Sequence, residues 1–182
     1  MTDELGKALL SLARNAIAAE LRLTQLEETE APALDRPGAS FVTLTVNQRL
    51  RGCIGTLEAR RPLRQDVRAN ACAAAFRDPR FQPLSVQEFA RIRVEVSLLT
   101  AAQPMTVASE ADLLRQLRAG VDGLIFEMGK HRSTFLPQVW EDLPEPRQFL
   151  AQLKLKAGLP PDFWSAGIRL SRYQAQKWKE EK

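Results

Sequence analysis

The chain has 182 residues, 45% hydrophobic and 26% charged, a mix that suits a globular domain and argues against a disordered chain, a collagen or a disulfide-dense mini-protein. Two cysteines outside any CxxC, Cys53 and Cys72, and a single histidine, His131, argue against a structural zinc site, and no metal site is expected. The start Met1-Thr2-Asp3-Glu4 is acidic where a secretory signal is basic, and charges at Lys7, Arg14, Glu20 and Arg22 interrupt the best apolar stretch, so a soluble, cytoplasmic protein is expected.

Residues 2–26 read as a helix, with Thr2 as cap, Asp3 and Glu4 in the first turn, and Leu5, Leu9, Leu12, Ala16 and Ala19 at helical spacing. Asp35-Arg36-Pro37-Gly38 is a turn. Phe41 to Val46 alternates as a strand, Asn47-Gln48-Arg49 turns, and Leu50 to Leu57 returns. Gly52 and Gly55 within that return strand point to a bulge or a close backbone approach. Pro62 opens a helix over 63–77 with an alanine-rich face, stopped by Asp78-Pro79. Ser85 with Glu88 is a capping-box pattern. Arg91 to Leu99 alternates strictly, with Ile92, Val94, Val96 and Leu98 on one side and Arg91, Arg93, Glu95 and Ser97 on the other.

Further on, Ser109 and Asp112 open a helix closed by Gly120, 123–127 is a strand, 128–133 a polar turn, and 134–136 a short strand. Pro146 to Lys156 is a helix with Phe149, Leu150 and Leu153 inward and Gly158 after its end. Ile168 to Tyr173 is a final strand, and the Lys/Glu tail should fray. Strands and helices mix without a regular βαβ beat, so the class is α+β with a partly antiparallel sheet.

The net charge is +4, unevenly spread. Residues 49–95 hold ten arginines, no lysine and five acids, a local +5, leaving −1 elsewhere. Such a segment is either an anion or nucleic-acid site or a solvated face with local ion pairs. Within it, Arg51-Gly52-Cys53-Ile54-Gly55-Thr56 is the most unusual stretch. One reading is a reactive cysteine in a loop where the glycines admit a ligand, Arg51 favours thiolate by facing the sulfur, and Thr56 adds a hydroxyl. The other is a small buried residue on a bulged strand.

Glu95 is either a general base or a solvent-facing partner of Arg93. His131 falls in a turn, and a Cys53–His131 pair would need spatial proximity. Cys72, in the alanine-rich helix, reads as packing. No Walker loop, GxGxxG after a strand, HExxH or GxSxG is present.

The segments LRGCIGTLEA (50–59), DPRFQPLS (78–85), RVEVSLL (93–99), GVDGLIF (120–126), TFLPQVWEDLP (134–144) and FLAQLKLKAGL (149–159), with Trp164 following, resemble the AMMECR-domain family, AmmeMemoRadiSam system protein A. TFLPQVWE is similar to the bacterial branch. The resemblance spans about residues 5 to 175. It implies one AMMECR-type domain over 1–182, with a larger lobe around a mostly antiparallel sheet flanked by helices (mainly 41–127) and a smaller packed lobe including about 128–165.

The family has no established reaction, so whether the chain is an enzyme, and with what cofactor, stays open. The resemblance implies a shared pathway with a Memo-like protein and a radical S-adenosylmethionine protein. The family pattern carries over to Arg51, Gly52, Cys53, Gly55, Thr56, Asp78, Arg80, Phe81, Glu95, Ser97, Leu136, Pro137 and Gln138. The expected site is a cleft with Cys53, Glu95 and His131 as catalytic candidates and Arg51, Gly52, Gly55, Thr56, Arg80 and Gln138 as ligand contacts. The alternative is a non-catalytic module binding nucleic acid, a nucleotide or a protein through the arginine-rich 49–93 segment.

Overall fold

The computed structural model describes residues 2–181, without the side chains of Thr2 and Asp3, so the expected cap and first-turn acid there lie outside the described residues. The fold is α+β, with five α-helices and two four-stranded sheets among the described residues. The chain forms two compact units, Met1–Leu99 with Gln176–Lys182, and Thr100–Ala175.

In the first unit, helix α1 (Thr2–Glu20) stops six residues short of the expected end. Arg22 adopts a left-handed conformation (φ 59°), and the Leu23 amide donates to the Ala18 carbonyl at 2.8 Å. This is the closure that ends many helices. The buried Asn15 side chain then pins the following loop by bonding both the amide and the carbonyl of Leu26.

Strands β1 (Ala39–Val46) and β2 (Arg49–Gly55) form a hairpin whose two-residue turn, Asn47-Gln48, has positive φ at both positions. That turn twists with the strands and suits a tight hairpin. Helix α2 (Leu63–Phe76), the short α3 (Val86–Phe89) and strand β3 (Ile92–Leu99) follow. Val42, Leu44, Val94 and Val96 are fully buried on the face that meets α1 and α2, as their period of two anticipates. Each such side chain contributes about 1.5–3 kcal/mol by leaving water.

The Lys/Glu tail does not fray as far as Lys179. Ala175–Lys179 is strand β8, which completes the sheet in the order β2-β1-β3-β8. Glu180 accepts from the Arg14 guanidinium (2.6 Å from Nη2) and from the Val94 amide (2.9 Å). The Trp178 ring occupies the space a Cβ on Gly6 would need. These contacts join residues over 80 positions apart, and local composition carries no trace of them.

The second unit holds β4 (Gln103–Met105), α4 (Glu110–Gln116), β5 (Gly123–Met128), β6 (His131–Phe135), α5 (Pro146–Lys156) and β7 (Arg169–Tyr173). Its antiparallel sheet runs β4-β7-β5-β6. The 128–133 turn is tighter than expected: Met128 already pairs with His131 across Gly129-Lys130, which extends β6 backwards by three residues. Trp140 stacks on Phe149 at 3.8 Å and donates to the Asp122 carbonyl. Lys154 is fully buried, with Nζ 3.0 Å from Glu110 Oε1 and 5.7 Å from the Trp164 ring.

Candidate functional site

The hairpin register decides what stands beside Cys53. Val46 pairs with Arg49 and Thr45 with Leu50, but Leu44 pairs with Gly52. Arg51 is the extra residue of a β-bulge. Counting back from the turn without it would set Cys53 against Val42, on the core side. With it, Cys53 faces Thr43, and Thr43 in turn pairs with Glu95 on β3. Cys53, Thr43 and Glu95 therefore form one cross-strand row on the face opposite the helices. Cys53 and Glu95 stand two strands apart, about 10 Å at the backbone. The Thr43 hydroxyl donates to Cys53 Sγ at 3.3 Å.

β2 is an edge strand, and at Cys53 its outer side is closed by a side-chain pair. The Cys53 amide donates to Asp78 Oδ2 at 2.9 Å, and Arg80 Nη2 reaches the Cys53 carbonyl at 3.4 Å. Arg80 also holds Asp78 through Nε and Nη2 (2.9 and 2.7 Å). Asp78 and Arg80 thus replace a neighbouring strand, which satisfies the edge and fixes the cysteine's backbone. Asp78 is buried, and the Arg80 guanidinium keeps its carboxyl well below the usual carboxylate range.

Burial pushes the Cys53 thiol up from its ordinary value. The Thr43 hydrogen bond and the Arg80 charge oppose this, while Asp78 and Glu95 add to it. The resting cysteine is a neutral thiol. The expectation that Arg51 favours a thiolate is corrected, because its guanidinium points elsewhere. Nε and Nη2 grip Glu88 at 2.8 and 3.1 Å, and Nη2 also reaches the Gln82 carbonyl. The basic group that acts on Cys53 is Arg80.

The glycines are corrected too. A Cβ on Gly52 would lie 2.1 Å from the Ala74 carbonyl oxygen, and one on Gly55 would lie 2.2 Å from the Phe41 ring. The space that seemed to await a ligand holds helix α2 and an aromatic ring. Thr56 is likewise engaged, donating to the fully buried Asp66 at 2.8 Å. Asp66 also accepts from the Ser40 amide and hydroxyl, Asn70 and Arg61.

Glu95 is half-buried and has no hydrogen bond or ion pair among the described residues, so it does not pair with Arg93. His131 lies on β6 of the second unit, with Nδ1 2.8 Å from the Ala157 carbonyl, to which it must donate. Gln138 lies half-buried in a 3-10 turn (Pro137–Glu141) of the same unit. Both belong to a different compact unit from Cys53. Cys72 bonds the Ala16 carbonyl, and burial raises its thiol to about 11. Among the described residues, no three His, Cys, Asp or Glu side chains converge as metal ligands.

Thr43, Asp66 and Glu88 are not among the site residues the sequence points to, and Asp78 stands out there only as a helix stop and a family-pattern position. Thr43 was reachable by counting from the turn with one residue bulged. Asp78, two residues before Arg80, carried the signal of a local ion pair.

Of the ten arginines in 49–93, seven pair with carboxylates: Arg51 with Glu88, Arg60 with Glu58, Arg61 with Asp66, Arg64 with Glu30 and Asp35, Arg68 with Glu28, Arg77 with Glu20, and Arg80 with Asp78. Most of the basic excess is therefore spent on local partners. No helix among the described residues is long and apolar enough to cross a membrane.

Comparison with known proteins agrees with this architecture. A protein of Saccharolobus solfataricus is 40% identical over 191 residues, covering 100% of this chain and 84% of its own. One from Methanothermobacter thermautotrophicus is 40% identical over 181 residues, covering 97% and 94%. The crystal structure of an uncharacterised Pyrococcus horikoshii protein superposes with a TM-score of 0.89 at 35% identity, covering 98% of this chain and 92% of that one. The AMMECR1 family matches residues 10–178, and the chain belongs to it.

Proposed function

We propose that the chain acts through Cys53 as a covalent acceptor for an electrophilic carbonyl compound, with Thr43 and Glu95 as its proton path. The observation that carries this reading is the Cys53–Thr43–Glu95 row on one sheet face, with Glu95 unpartnered among the described residues. A neutral thiol attacks only if its proton leaves. In the proposed step the Thr43 hydroxyl turns from donating to Sγ to donating to Glu95; a C–S bond forms, the carbonyl π pair moves to oxygen, Thr43 takes the thiol proton and its own proton goes to the Glu95 carboxylate. Adjacent cross-strand side chains stand about 5 Å apart at Cβ, within reach of such a relay.

The family resemblance adds a shared pathway with a Memo-like protein and a radical S-adenosylmethionine protein, and TFLPQVWE supports the bacterial branch, although the relatives compared above are archaeal. Co-purification of the three proteins tests the pathway. The alternative arginine-rich binding module is less favoured, because seven of its ten arginines are already paired.

The test of the site is the pH profile of Cys53 alkylation by an uncharged haloacetamide, read by mass spectrometry, with Cys53→Ser as the control for site. Proton transfer to Glu95 gives a rate plateau below the thiol pKa that Glu95→Gln abolishes. A rate simply proportional to hydroxide, or faster labelling in Glu95→Gln as expected for loss of a repelling charge, overturns the reading.

A further inference from the structure

The three unpaired arginines of the 49–93 segment gather at one end of the first sheet. Arg49, Arg91 and Arg93 are exposed and have no hydrogen bond or ion pair among the described residues. Arg49 pairs with Val46, Val46 with Ile92, and Thr45 with both Leu50 and Arg93. The hairpin tip and the start of β3 thus place all three within a few residues of one another.

The same end carries a groove of about 570 Å³ lined by Val46, Asn47, Arg49, Leu50, Arg51 and Glu88. That volume lies in the range of small-molecule sites. Arg51, the bulged residue, lines this groove, with its guanidinium 5.7 Å from the Phe81 ring. Its side chain is only 13% exposed, and Glu88 holds two of its nitrogens. Its third, Nη1, is buried and has no hydrogen-bond partner among the described residues. A buried guanidinium N–H without an acceptor is costly, and an oxyanion is the acceptor it fits best. Glu88 fixes the fork and cancels the Arg51 charge, so Arg51 offers the groove an N–H donor while Arg49, Arg91 and Arg93 supply its net positive charge. Leu50, 43% exposed, adds an apolar wall.

We infer that the hairpin-end groove is a binding site for a small oxyanion-bearing molecule with an apolar portion, held by Arg51 Nη1 and Arg49. The shared ligand chemistry is an oxyanion, either a phosphate or a carboxylate. This site is separate from the Cys53 row: Arg51 is absent from the charges that act on the Cys53 thiol, and the two stand or fall independently.

The experiment is a titration of the ¹⁵N-labelled protein, following arginine side-chain resonances, with inorganic phosphate in one arm and butyrate in the other. Saturable shifts at Arg49 and Arg51 are expected. Stronger binding of phosphate identifies a phosphoryl ligand, and stronger binding of butyrate a carboxylate beside Leu50. Arg49→Gln, at an exposed position, should weaken binding about tenfold, in line with the loss of one charge-assisted hydrogen bond. Arg51→Lys should weaken it at least as much if the variant folds, and Arg49→Gln decides if it does not. Absence of saturable shifts with both probes, or undiminished binding by Arg49→Gln, overturns the proposal.

Discussion

Strand β2 contains two unlike regions within seven residues. At 52–55, the backbone and small side chains are engaged: Gly52 by α2, Cys53 by Asp78, Arg80 and Thr43, and Gly55 by Phe41. At 49–51, Arg49 and Leu50 are exposed and one Arg51 nitrogen lacks a partner. The comparison teaches that a glycine-flanked motif can be conspicuous because of packing. Unmet bonding capacity is a separate signal. It appears at the bulge and at Glu95, and the glycines carry none of it.

The sharpest way to break this comparison is to add a methyl group at each glycine. Gly52→Ala drives a Cβ into a backbone oxygen of α2, which cannot rotate away. It should cost about 3 kcal/mol, the upper part of the usual overpacking range. At Gly55 the atoms nearest an added Cβ belong to the Phe41 ring, Cγ first, on a half-buried side chain that must change rotamer to make room. Gly55→Ala should cost about 1 kcal/mol. Urea unfolding of both variants checks the order. Equal costs would mean that the two glycines do not differ as described.

Acid probes the two regions through their carboxylates. Glu88 serves the 49–51 end, and the Arg51 guanidinium with the Ser85 amide brings it down from 4.5 to about 2. Asp78 serves the 52–55 end and is lowered by Arg80. A carboxyl whose folded pKa lies below its unfolded pKa stabilises the fold above the unfolded value. That stability is lost as pH falls through the folded value. The Tm should therefore decline between about pH 4.5 and 2. Glu88→Gln should lower the Tm at neutral pH and flatten part of that decline. An unchanged slope would detach Glu88 from Arg51.

Much of the fold was legible because its signals are local. The 41–57 hairpin, the strict alternation of 91–99 and the Ser85–Glu88 capping box all appear in the structure. The glycines also signalled irregularity in β2. Which residue bulges was not legible, and that one position decides whether Cys53 faces the core or Glu95. Glu88 was legible as a cap, but its hold on Arg51 joins positions 37 apart and leaves no periodic trace. Strand β8 was hidden by its polar, lysine-bearing composition, since Trp178 and the adjacent Glu180 find their partners at Gly6 and Arg14.

The mildest probe sets one arginine of each region against the same reporter. Arg51 lies close to Cys53 in sequence and Arg80 lies 27 positions away, each held by a carboxylate, but only the Arg80 charge lowers the Cys53 thiol pKa. Arg80→Gln removes that charge and leaves Asp78 negative beside the cysteine, so both changes disfavour thiolate. Haloacetamide labelling of Cys53 at pH 8 should slow, because losing the Arg80 charge pushes the thiol further up and lowers the thiolate fraction. Arg51→Gln should leave the rate unchanged, because the Arg51 guanidinium is turned toward Glu88 and the groove. Cys72, on α2 with its thiol raised to about 11, is the internal control and should label equally in both variants. If Arg51→Gln slows Cys53 while Arg80→Gln does not, the bulge has been assigned the wrong role and the two regions of β2 merge into one site.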